Sequence, residues 1–171
     1  MDQHTEPEQQ FLKLYDEYAA PIFRHCYFRV SSRELAEDLT QEAFMRIWNY
    51  LSQEKTIDNP KAFVYRITDN LIVDYYRKKK ELSLDVMAEK GFDPAGDGAA
   101  SILDYAAGRE AREVLEQLEP IHREVLLLRY VADLPIRDIA SIIGESENVV
   151  SVRIHRAIQK LKKILTYGKS S

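Results

Sequence analysis

The chain has 171 residues, 45% apolar and 30% charged, with a formal net charge of −4. That is enough apolar material for a core in one domain or two small ones, but no apolar run approaches the roughly 20 residues that cross a bilayer. Cys26 is the only cysteine, which excludes an internal disulfide and a thiolate metal cluster.

The start, MDQHTEPEQQ, is acidic and polar, unlike a signal peptide, so a cytoplasmic location and no direct membrane insertion are expected. Charge is unevenly spread. Residues 1–60 carry six basic and eleven acidic side chains, and residues 61–80 carry six basic against Asp69 and Asp74. Residues 81–108 hold six acids against Lys90, and 148–171 hold six basic residues and no acid. Two basic zones divided by an acidic connector suit a protein that meets DNA at two places and another protein elsewhere.

The first domain reads as all helix. Phe11, Leu14, Tyr15 and Tyr18 recur at helical spacing within 11–27, and Pro21 is expected to kink or break that helix. Cys26, inside an aromatic run, reads as a buried apolar residue. Ser31 or Ser32 caps the next helix, 34–51. Wound at about 100° per residue, it places Ala36, Leu39, Ala43, Phe44, Ile47 and Leu51 on one face. Asp38, Gln41, Glu42, Met45 and Asn49 fall opposite, beside Trp48, on a face without Lys or Arg. An acid–amide set next to Met and Trp reads as a protein-binding surface, since Met and Trp are enriched at interfaces.

Asn59-Pro60 opens a third helix over 61–80, with Phe63, Ile67, Leu71 and Tyr75 at i, i+4 and a bend expected within it. Aromatics are interleaved there with cations. Phe63, Tyr65, Tyr75 and Tyr76 offer stacking faces; Arg66, Arg77, Lys78, Lys79 and Lys80 offer charge for a nucleic-acid backbone. Asn70 is an amide in mid-helix, where it does not favour the helix. It is read either as a buried hydrogen-bonding residue or as a base contact.

All six glycines lie at or beyond position 91, so no Gly-rich phosphate loop precedes them. Residues 89–101, EKGFDPAGDGAAS, have little to bury and read as a flexible linker. The expected organisation is a domain over 1–82, an acidic linker over 83–107 and a second domain over 108–171.

The second domain is also expected to be helical: 111–117, then Pro120 to about Val131, then Pro135–Ile143, then 147–165. Gly144 falls at a tight turn that needs φ > 0, and Ser146 can cap the last helix. Two helices joined by such a turn form a helix-turn-helix. On the last helix Val150, Ile154, Ala157, Ile158, Leu161, Ile164 and Leu165 form a core stripe. Ser151, Val152, His155, Arg156, Gln159, Lys160 and Lys163 form a polar face that suits base edges and phosphates. Val152 or Val149 is expected to pack on a thymine methyl group.

The run A-E-D-L-T-Q-E-A-F (Ala36–Phe44) resembles region 2.2 of the bacterial sigma-70 family, in its small extracytoplasmic-function (ECF) group. H-R-E-V-L-L-L-R-Y-V (His122–Val131), D-L-P-I-R-D-I-A-S-I-I-G (Asp133–Gly144) and V-R-I-H-R-A-I-Q-K-L (Val152–Leu161) resemble its region 4 in order and spacing. Residues 62–80 are similar to regions 2.3 and 2.4. The resemblance implies an all-α fold of two small helical domains and a transcription initiation factor, not an enzyme, with no cofactor, metal or small-molecule substrate. It implies that Asp38, Gln41 and Glu42, with Met45 and Trp48, dock on the β′ clamp helices of core RNA polymerase. It implies that Phe63, Tyr65, Arg66, Asn70, Asp74, Tyr75, Arg77 and Lys78 lie at or near the −10 element of promoter DNA. At the −35 element it implies Ser151, Val152, His155 and Arg156 facing bases, Arg153 and Lys160 near phosphates, and Ser146 beside them. A β flap contact by the second domain and a controlling anti-sigma factor are further implied partners. The acidic linker is expected to thread a positively charged polymerase channel. The chain departs from the pattern at Asn148-Val149, where Gly-Thr is usual, at Ser151, and at Glu145, where an apolar residue is usual.

Other readings fit less well. Glu119-Pro120-Ile121-His122 has the E-x-x-H spacing of a di-iron bundle, but that architecture needs two such motifs and two further Glu. A helix-turn-helix regulator that binds duplex DNA without polymerase leaves the Asp38-Gln41-Glu42 face unexplained. An adaptor that binds polymerase alone leaves the basic last helix unexplained.

Overall fold

The computed structural model describes residues 5–85 and 110–168, with the side chains of 83–85 outside that description. Of the segment read as an acidic linker, residues 83–85 belong to a helix and 86–107 lie outside the described residues. Among those described there is no strand, and no helix is long and apolar enough to cross a membrane. The chain divides into two compact units, Met1–Gly96 and Asp97–Ser171.

The first unit holds three mutually packed helices: α1 (Glu6–Val30), α2 (Arg33–Ser52) and α3 (Pro60–Asp85). Thr5 donates its backbone N–H to Glu8 Oε2 at 3.2 Å, fixing the start of α1. Of the kink or break expected at Pro21, the break does not occur: α1 runs through it without ending. Proline removes one backbone bond, but Ile22, His25, Cys26, Arg29 and Val30 beyond it are all buried, and that packing carries the helix on. Ser31 stops it in a left-handed conformation (φ 56°). Ser32 Oγ then accepts the Leu35 N–H at 3.3 Å and caps α2. The buried side chains of α2 are Ala36, Leu39, Ala43, Phe44, Ile47 and Leu51, the six expected from periodicity.

Asn59 opens α3, its Oδ1 accepting from Ala62 N–H at 3.3 Å. The buried stripe of α3 differs from expectation. Ala62, Val64, Tyr65, Thr68, Asp69, Leu71 and Ile72 are buried, whereas Phe63, Ile67 and Tyr75 are only half-buried. The helix packs against both α1 and α2, which turns a wider face inward than a single i, i+4 row describes. Within that interface Arg29 Nη1 donates to Asp69 Oδ1 at 2.8 Å, with both side chains almost wholly enclosed. His25 sits beside them, edge-on to Tyr65 at 5.4 Å.

In the second unit, residues 110–116 form α4. They are followed by α5 (Pro120–Leu126), a π-helical turn (Leu127–Val131), α6 (Ile136–Ile143) and α7 (Glu147–Gly168). Arg123 closes the end of α4, donating to the Leu115 and Leu118 carbonyls at 3.0 and 3.2 Å. Val125, Leu127, Leu128, Leu134, Ile139 and Val150 build the core. Gly144 takes φ 72° between α6 and α7, and Ser146 Oγ accepts the Val149 N–H at 3.1 Å. The helix-turn-helix is thus α6–turn–α7, with α7 packed on both α5 and α6. Leu165, expected in the core stripe, is 47% exposed, and Ile164 is half-buried. Both line an open pocket with Val114 and Gln117 near the end of α4.

Candidate functional site

Three surfaces carry the residues singled out from the sequence. On α2, Asp38, Gln41, Glu42, Met45, Trp48 and Asn49 are all exposed, because the helix spends its other face on the core. Met45 is 61% exposed, an unusual state for a long apolar side chain unless a partner covers it. Behind this face an aromatic cluster fixes the backbone. Phe11 meets Trp48 edge-on at 5.5 Å, and Tyr15 meets Phe44 at 5.1 Å. The sequence missed the contribution of α1: Leu12 and Tyr15 are exposed and, with Phe11, Gln41, Met45 and Trp48, line an open apolar groove. The face is also less free of cations than expected, since Arg46 Nε pairs with Glu42 Oε1 at 3.2 Å. One turn separates the two, so the pair was legible from spacing.

On α3, Arg66, Asn70, Arg77 and Lys78 are exposed, while Phe63, Asp74 and Tyr75 are half-buried. Tyr65 is a correction. It is 2% exposed, packs on His25, and burial pushes its hydroxyl up to about 12, so it is a core residue with no face for stacking. Asn70 is not the buried amide that its mid-helix position permits; its neighbours Thr68 and Asp69 are the buried polar groups. Thr68 Oγ1 donates to the Val64 carbonyl at 2.8 Å, and Asp69 holds Arg29. The Tyr76 hydroxyl donates to the Arg29 carbonyl. The Asp69 and Tyr76 contacts tie α3 to the end of α1, before and after Asn70 in the chain. Phe63 lies against Tyr50 with centroids 4.7 Å apart, and Tyr75 meets Tyr76 edge-on at 5.5 Å. Arg77 pairs with Asp74 at 3.1 Å. Arg29, His25 and Asp69 were missed, although Ile22, Cys26 and Arg29 share one i, i+3, i+4 face of α1.

On α7, Ser151, Val152, His155, Arg156 and Lys160 are exposed. The Ser146 oxygen serves the cap, which leaves its proton and one lone pair for a partner outside the fold. Arg153 is half-buried and lies 3.6 Å from Glu145, and Lys160 lies 3.3 Å from Glu119. Val149 and Val152, 37% and 42% exposed, line a shallow groove with Ile121, Arg153 and Arg156. His122 forms its floor, and burial, reinforced by Lys160 and opposed by Glu119, lowers its pKa. An apolar strip beside guanidinium groups, on a helix presented by a Gly turn, has the chemistry of a major-groove reader.

Among the described residues no group of His, Cys, Asp or Glu could hold a metal ion. Burial pushes the Cys26 thiol up to about 12, consistent with an inert core residue.

Comparison with known proteins gives the same division. A family model described as sigma-70 region 2 matches residues 14–81, and one described as sigma-70 region 4 matches residues 108–161. The ECF RNA polymerase sigma factor BldN of Streptomyces coelicolor is 26% identical over 91% of this chain, which spans 60% of that relative's length. The ECF RNA polymerase sigma factor SigW of Bacillus subtilis is 27% identical, over 92% of this chain and 90% of the relative. The sigma factor RpoE from Bartonella quintana, solved in complex with the anti-sigma factor NepR, shares the fold. Its TM-score is 0.64 at 22% identity, over 92% of this chain and 95% of that one.

Proposed function

From the premise that this chain belongs to the sigma-70 family, among its ECF members, we propose that it recruits core RNA polymerase and directs it to promoters with a −10 and a −35 element. The role is one of binding and positioning, performed in the cytoplasm without a chemical step of its own. The observation that carries the reading is the pairing of two exposed surfaces of different chemistry on one chain. The acid–amide–Met–Trp face of α2 suits a protein, and the Ser–Val–His–Arg face of α7 suits duplex DNA.

Asp38, Gln41 and Glu42 meet the β′ clamp helices, with Met45 and Trp48 supplying the apolar contact. Asn70, Arg66, Arg77 and Lys78 then engage the −10 strand, with Phe63 and Tyr75 as the stacking candidates that remain once Tyr65 is assigned to the core. A base drawn from the stack onto this surface gives specificity and starts melting together, for a few kcal/mol of unstacking. Ser151, Val152, His155 and Arg156 read the −35 duplex, and Arg153 and Lys160 lie toward its phosphates. The second unit also meets the β flap through its apolar surface, and an anti-sigma factor masks the protein until a signal releases it.

Run-off transcription over a promoter library, with bacterial core polymerase and with or without the full chain, tests the reading. Starts that need the protein and share two short elements at a fixed spacing are the expected result. Duplex binding by the protein alone, with no effect on transcription, would favour the helix-turn-helix regulator instead.

A further inference from the structure

The cations of α7 are not all in the same state. Arg153 and Lys160 are seven residues apart, two helical turns, so they share one row of the helix. Each faces a carboxylate supplied from outside α7. Glu145, in the turn after Gly144, lies 3.6 Å from Arg153, and Glu119, at the N-cap of α5, lies 3.3 Å from Lys160. Arg156, on the next row, has no ion pair among the described residues, and neither has Glu147 in the first turn of the same helix. The two side chains assigned to phosphates are therefore the two already neutralised within the fold. The exposed side chains assigned to base edges are not.

We infer that Glu119 and Glu145 act as intramolecular counter-ions that limit the sequence-independent attraction of α7 for DNA. Phosphates supply nearly all non-specific affinity, because each cation that reaches one releases condensed counter-ions. A carboxylate that competes for the same cation lowers that contribution at every sequence equally. It leaves the discrimination made by Ser151, Val152, His155 and Arg156 intact, so overall affinity for DNA falls while the ratio of specific to non-specific binding is unchanged. Glu119 and Glu145 are then affinity-limiting residues that touch no base. This rests on the assignment of α7 to duplex DNA made above.

The test measures binding of holoenzyme, formed from the full chain and core polymerase, to promoter duplex and to a scrambled duplex over a range of salt. The parent is compared with an E119Q/E145Q double variant and with E147Q, which removes a charge from the same region without breaking a pair. The double variant should bind scrambled duplex about three- to tenfold more tightly, the range two partly exposed ion pairs can contribute. Its salt dependence should steepen by up to about 0.9 per cation released, and promoter duplex should be bound more tightly by a similar factor, so that the preference for promoter is unchanged. Unchanged or weaker scrambled binding, or an equal gain in E147Q, would overturn the inference. Failure of the parent holoenzyme to prefer promoter would instead sink the assignment of α7, which keeps the two failures apart.

Discussion

Asp69 and Asn70 are adjacent in the chain and face opposite ways. Asp69 is buried against Arg29, and Asn70 is exposed in the first basic zone. Removing one partner of an enclosed ion pair leaves the other charge desolvated, so Asp69→Ala should destabilise the first unit by about 3–5 kcal/mol. Asn70→Ala, at an exposed position, should change stability by no more than about 0.5 kcal/mol while reducing promoter opening. Urea unfolding of the full chain and a permanganate footprint of the melted strand separate the two effects. His25 supplies a second residue-scale prediction. Burial, helped by the Arg29 charge and opposed by Asp69, holds its pKa down to about 3 against an ordinary 6.5. Across that window the unfolded chain takes up a proton that the folded chain refuses. The contribution is complete above pH 6.5 and is lost as the solution is acidified toward about 3. His25→Leu should therefore lose less stability than the parent between neutral pH and about pH 4, measured as urea midpoints of the near-ultraviolet signal.

Helix boundaries followed local chemistry closely. Ser32, Asn59 and Ser146 each accept a backbone N–H at the start of the helix they precede, and Gly144 adopts the positive φ that its place in the turn requires. A methyl group at Gly144 meets nothing within 4 Å, so any penalty there is one of backbone conformation alone. Gly144→Ala should lower the stability of the second unit by roughly 1–2 kcal/mol, read from thermal unfolding, without a packing defect. Which face each helix buries was legible in part. The stripe of α2, which packs on both α1 and α3, was complete in the sequence. That of α3 was not, because Tyr65 and Asp69 meet His25 and Arg29 of α1, and these contacts widen the buried arc beyond the i, i+4 row. At Pro21 the local rule allows a kink or a break, and the burial of five residues beyond it accompanies a helix that does not break.

At the scale of the whole chain, the α2 face proposed for polymerase and the α7 face proposed for the −35 element fall on separate units, so the two should be separable by mutation. Combined Asp38→Ala, Gln41→Ala and Glu42→Ala should abolish co-elution with core polymerase while leaving helical content unchanged, since all three side chains are exposed. Arg156→Ala should retain core binding and lose about 1–3 kcal/mol of promoter discrimination, measured as the ratio of run-off product from matched and mismatched −35 elements. The sequence by itself determined the helical class, the helix-turn-helix, the exposed and buried faces of α2 and the family, because periodicity, caps and short motifs are properties of neighbouring residues. Tertiary structure alone decided what depends on residues distant in the chain. The Arg29–Asp69 pair joins positions forty apart, and Lys160 meets Glu119 across forty-one. Tyr65 is a core residue and Asn70 a surface one only because α3 is wedged between two helices. Spacing along one helix specifies which residues share a face, but the packing partners specify how much of that face is removed from water, and only the second choice separates a stacking aromatic from a buried one.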